Sequence, residues 1–160
     1  MADCHVRRFR KASRHGTTMV EVAVVLPVFL IFIFGLWAYG HAQMTSNMLK
    51  GAVRQAARYG ATDGVTSAQV EAKVRQIMGT AIDPSKVTIE VKNAASYDGG
   101  GSFPSSPGAI NALPNIELKS ASSRQLFVVR ASVAYNDVGV VPNKWFKNLT
   151  LYGQSFMRHE

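Results

Sequence analysis

Residues 22–40, VAVVLPVFLIFIFGLWAYG, form a run of nineteen positions without one charged side chain. As a helix rising 1.5 Å per residue, such a run reaches about 29 Å, close to the thickness of a bilayer's hydrocarbon core. The charge-free stretch continues to Leu49, with Lys50 the next ionised side chain. Only Pro27, Gly35 and Gly40 interrupt good apolar helix formers, and membrane helices tolerate such residues. A buried helix of a soluble protein usually needs fewer apolar residues in succession, so the run predicts a membrane-inserting segment.

The flanks predict its orientation. Residues 1–16 carry Arg7, Arg8, Arg10, Lys11 and Arg14 against Asp3, a net charge of +4. On the far side Lys50, Arg54 and Arg58 begin ten residues beyond the run. The positive-inside rule then keeps the N-terminus cytoplasmic and exports residues 41–160 as part of a single-pass inner-membrane protein. The rival is an ordinary signal peptide cut before Gln43, using the small-residue triplet Gly40-His41-Ala42. Against it stand an apolar run longer than the usual ~7–15 residues, a helical pattern that continues through that cut, and Glu21 at the head of the run. A twin-arginine signal at Arg7-Arg8 is weaker still, since the apolar run starts far downstream.

Glu21 is an expense that needs a reason. An acidic residue near the centre of a membrane helix costs about 2.5–3.5 kcal/mol on insertion scales, less at an interface. Gly16 lies five residues earlier, where the basic leader ends. Cutting the chain after Gly16 would turn Thr17 into an N-terminal ammonium one helical turn from Glu21.

The stretch GTTMVEVAVVLPVFLIFIFGLWAYGHAQMTSNMLKGAVRQAARYGAT resembles the N-terminus of TadE-like proteins, pseudopilins of tight-adherence (Flp-type) pilus systems. The resemblance rests on Gly16, on Glu21 five residues on, on VVLPVFL leading into FG, and on the later AVRQAARYGA. It is close over residues 14–62. Between Gly35 and Gly40 the family often carries an acidic residue, where this chain has Trp37-Ala38-Tyr39. The resemblance implies cleavage after Gly16 by a prepilin peptidase, with pilin or pseudopilin subunits, pilus assembly proteins and the lipid bilayer as partners. It implies a minor pilin or pseudopilin of a Tad/Flp-type pilus, serving adhesion or secretion. The alternative is an uncleaved, single-pass anchor carrying an extracytoplasmic binding module.

Maturation after Gly16 would change the chain's balance. The full chain has a net charge of +8; the part after Gly16 keeps thirteen basic and nine acidic residues, a net of +4. No basic stripe with interleaved aromatics remains, which argues against nucleic acid as a partner. The single cysteine, Cys4, lies in the leader, so the exported part has no disulfide to lean on.

Three parts are expected: a leader over 1–16, a membrane helix and stalk over 17–61, and an exported α+β head over 62–160. In the stalk, Ala52, Ala56 and Gly60 recur every fourth residue on one stripe, a packing seam where backbones can approach closely. Alanine's high helix propensity explains the same pattern equally well. Asp63-Gly64 ends the helix, and Thr66 or Ser67 caps a second one through Gly79 with Val70, Val74, Ile77 and Met78 as its apolar face. Residues 86–92, 126–135 and 149–157 read as three strands of a small antiparallel sheet. Residues 93–124 read as a long irregular loop, and Trp145 and Phe146 as packing over the sheet.

Chemistry-bearing motifs are missing from this pattern. His5, His15, His41 and His159 have no metal-ligand spacing. Gly99-Gly100-Gly101 lacks the ending of a phosphate loop, and no nucleophile elbow or paired-carboxylate motif occurs. Asn148-Leu149-Thr150 is a glycosylation sequon that matters only in a eukaryotic secretory pathway. The expectation is a protein without cofactor, metal or small-molecule substrate, and a substrate of an enzyme rather than an enzyme.

Overall fold

The computed structural model describes residues 15–100, 107–139 and 149–160, with the side chains of 15–17 and 107 outside that description. The leader up to residue 14, with Cys4 and His5, lies outside the described residues. So do Gly101, Trp145, Phe146 and Asn148.

Helix α1 runs from His15 to Gly60 without a break, with Pro27 inside it. Contacts group the chain into two compact units, one ending at Trp37 and one beginning at Ala38. In the first, Met19 to Phe34 display their large apolar side chains to the outside: Val20, Val28 and Phe32 are each more than 60% exposed. The apolar window of α1 has a mean hydropathy of 2.7, and no part of it is buried by protein. A core helix of a soluble protein would be mostly buried; this one is compatible with a membrane anchor.

The second unit is an α+β head built around the C-terminal part of α1. Helix α2 spans Ser67–Met78, and the strands β1 (Thr88–Asn93), β2 (Leu126–Ala134) and β3 (Thr150–Arg158) form one antiparallel sheet in the order β1-β2-β3. Three strands and a second helix therefore stand where the alternating and capped segments predict them. Thr66 is the N-cap of α2: its hydroxyl accepts from the Gln69 N–H at 3.2 Å, and Gln69 Oε1 accepts from the Thr66 N–H at 3.0 Å. That reciprocal pair satisfies two donors that a helix start otherwise leaves open.

One face of the sheet packs on both helices. From β2 it contributes Phe127, Val129, Ala131 and Val133; from β1, Ile89 and Val91. Against them lie Leu49, Ala52, Val53, Ala56 and Ala57 of α1 and Val70, Val74 and Met78 of α2. The register places Ala131 beside Ile89 and Gly153, so the sheet is thinnest at its middle. There α1 comes close: a Cβ on Gly153 would sit 2.7 Å from the Leu49 carbonyl carbon and the Lys50 nitrogen.

The opposite face has its own smaller core, which the sequence does not announce. Residues 93–124 are expected as an irregular loop, yet their described part holds a short helix α3 (Pro107–Asn111) and two 3-10 turns, Ala95–Tyr97 and Leu118–Ser120. Ile110 packs with Ala94, Leu126 and Val128, flanked by Tyr97, Leu113 and Phe156. Leu126 to Ala131 are consequently buried on both faces of the sheet, which fits the apolar run Leu126-Phe127-Val128-Val129 rather than an alternation. A further turn of helix, α4 (Tyr135–Val138), follows β2 directly.

Candidate functional site: the leader junction and the helix behind it

The residues singled out for maturation and assembly all lie on α1. Gly16 and Thr17 are helical in backbone, within the described span His15–Gly60. Glu21 is one turn further, exposed, and shares a face with Val22, Val25, Leu26 and Phe29. At the i, i+4 spacing of a helix, Thr17 and Glu21 are neighbours on one surface. Pro27 and Gly35 lie within the exposed apolar part, and a Cβ on Gly35 or Gly40 would meet nothing within 4 Å.

Ala52, Ala56 and Gly60 lie elsewhere in function. Ala52 and Ala56 are buried in the head's own core. A Cβ on Gly60 would come within 2.7 Å of Val70 Cγ2 and 3.0 Å of Leu118 Cδ1. Small residues on this stripe let α1 approach the sheet and α2 of the same chain. Their surface is occupied from within, and it is the opposite stripe, Lys50, Arg54 and Arg58, that faces outward.

At the start of the second unit α1 continues through residues 40–43 without interruption. Ala38 is 3% exposed, and its carbonyl accepts from the Tyr135 hydroxyl at 3.4 Å. The His41 ring stands edge-on to Tyr135, centroids 6.5 Å apart. A cut before Gln43 would therefore remove residues that pack against α4.

Several polar groups of the head escape a reading of the sequence. Arg130, in the central strand, is only 6% exposed; its Nη1 donates to Asn111 Oδ1 at 2.6 Å and the guanidinium lies 5.5 Å from the centre of the Tyr152 ring. A cation in mid-strand becomes tolerable there because α3 brings an acceptor and β3 an aromatic face. Asp83 precedes the Pro84–Lys86 turn; its carboxylate accepts from the Ser85 hydroxyl and backbone N–H, which hold its pKa below the ordinary value of 3.8. Among the described residues no three His, Cys, Asp or Glu side chains are gathered closely enough to hold a metal ion.

Comparison with known proteins bears on the same part of the chain. No curated protein and no solved structure matches it. A protein-family model described as TadE-like protein matches residues 16–58, starting at the glycine before the proposed cut and ending two residues before α1 does. That family associates the segment with Tad pilus proteins, as the resemblance of its residues implies. Residues 16–58, from the leader glycine through the apolar helix and into the head's core, are thus similar to the TadE-like family.

Proposed function

We propose that this chain is a minor pilin or pseudopilin, cut after Gly16 by a prepilin peptidase and used in assembling a Tad/Flp-type pilus. The observation that carries this reading is the TadE-like match, whose first residue is Gly16 and whose span includes Glu21 and the apolar helix. Its orientation follows from the leader's charge: N-terminus cytoplasmic, head extracytoplasmic.

The residue types fit a mechanical role. Before the cut, Glu21 is a carboxylate at the entrance of an apolar segment. After it, the helix would start at Thr17, bringing a new ammonium and the positive end of the helix dipole within a turn of Glu21. Both stabilise the carboxylate, in its own chain or in a neighbour, and lower the cost of placing it among packed membrane helices. The remaining task is lateral packing, with the head presented to pilus subunits or secretion partners; catalysis is not part of it.

Co-expression with a prepilin peptidase tests this reading. The wild-type chain should lose its leader and begin at Thr17, and Gly16→Val should abolish the size shift, because a branched side chain blocks the cleft. Normal clipping of that variant places the cut elsewhere. Glu21→Ala should still be clipped but should lower piliation, counted by electron microscopy, since the carboxylate serves packing. An intact Met1 in the wild type favours the uncleaved anchor, and a start at Gln43 means a signal peptide.

A further inference from the structure

The outward stripe of α1 offers an interaction surface distinct from the seam inside the head. Lys50, Arg54 and Arg58 recur at i, i+4 and i+8, all three exposed. Between Glu21 and Asp63 the chain has no acidic residue, so no carboxylate on this helix answers them. None of the three takes part in an ion pair among the described residues. Like charges one turn apart destabilise a helix, so the ladder works against the element that bears it. Beside it lie Asn47, Gly51 and Gln55, also exposed, and Gly51 has open space where a Cβ would be. A second backbone can come near here without displacing anything.

We propose that this face docks a helix of a different membrane-anchored chain, one carrying carboxylates at the same one-turn spacing. The partner is not a second copy. A copy anchored in the same bilayer would present its own Lys50, Arg54 and Arg58 at the same height, and cation would meet cation. Nor does the ladder match lipid headgroups. Lys50 and Arg58 are about 12 Å apart along α1, and lipid headgroups carry no charges fixed at one-turn spacing to answer such a ladder. A parallel helix with carboxylates at that spacing meets all three at once. The inference deepens the proposed pilus-assembly role, since it makes the chain a subunit that packs with unlike neighbours.

A photo-reactive benzoylphenylalanine at Gln55 of the full chain, expressed in cells with the pilus system intact, tests the docking. Irradiation should give an adduct with a different single-span protein, the crosslinked peptide holding carboxylates four residues apart. Adduct yield should fall at least tenfold in Lys50→Gln/Arg54→Gln/Arg58→Gln and persist in Lys50→Arg/Arg54→Lys/Arg58→Lys. Exchanging signs on both chains, these three to Glu and the partner's carboxylates to Lys, should restore it. An adduct with a second copy, an adduct with lipid alone, a heterologous adduct indifferent to neutralisation, or no adduct overturns the proposal. The N-terminus of the same sample separates this from the maturation reading: Thr17 without a charge-dependent adduct defeats only the docking, and Met1 with one defeats only the cleavage.

Discussion

Three hydrogen bonds converge on Ser67. Its N–H donates to Glu117 Oε1 at 3.0 Å, its hydroxyl donates to the Ile116 carbonyl at 2.7 Å, and the same oxygen accepts from the Leu118 N–H at 3.0 Å. The side chain thus ties the start of α2 to a segment fifty residues on, and the Glu117 carboxylate meets the positive end of the helix. Ser67→Ala strands the half-buried Ile116 carbonyl and the buried Leu118 N–H, and should cost about 1–3 kcal/mol. Urea unfolding of the detergent-solubilised chain checks this; an unchanged midpoint would mean the contacts are not made. At this position the sequence is half legible. Thr66 and Ser67 are both good caps by local chemistry, and Gln69 completes a box that selects Thr66, but the bonds from Ser67 to residues 116–118 lie outside any window around residue 67.

At the scale of elements, the fit of α1 on the sheet depends on what is missing from the side chains between them. Gly153 faces Leu49 and Lys50 so closely that any Cβ collides with backbone, which cannot swing aside as a side chain can. Gly153→Ala should therefore overpack the core and cost about 1–3 kcal/mol or more. Gly51→Ala, on the open side of the same helix, should be neutral or slightly stabilising through better helix propensity. Thermal unfolding of the two variants side by side separates overpacking from a general effect of alanine. The strands and α2 are legible because alternation, β-branched runs and caps are local signals. The core formed by Ala94, Ile110, Leu126 and Val128 is not. Ile110, Leu113 and Leu118 are scattered among Gly, Pro and polar residues without a period, and they become a core only once β2 offers a second face. The small-residue stripe is legible as a seam, but its partner is not: Ala52 and Ala56 look alike whether a sheet or another helix lies against them.

For the molecule as a whole, the last third of α1 belongs with the residues that follow it. Leu49, Ala52, Val53, Ala56 and Ala57 fill the helix-facing side of the sheet. Leu49 and Val53, both fully buried, are each worth about 1.5–3 kcal/mol by burial alone, against a total of about 5–15 kcal/mol for a typical domain. A chain that begins at Ala38 keeps all five side chains and the carbonyl that receives the Tyr135 hydroxyl. A chain that begins at Thr62 loses them all and bares Phe127, Val129 and Ala131 to water. The first should unfold cooperatively in a thermal scan, and the second should show no cooperative transition and bind a hydrophobic dye. A cooperative transition in the shorter chain, near the temperature of the longer one, would show that the sheet and α2 suffice by themselves. The same reasoning ranks the two cuts weighed for this chain. One after Gly16 takes nothing from the described core, whereas one before Gln43 removes Ala38 and His41 from the surface of α4. The proposed cut after Gly16 leaves every described residue of the head in place.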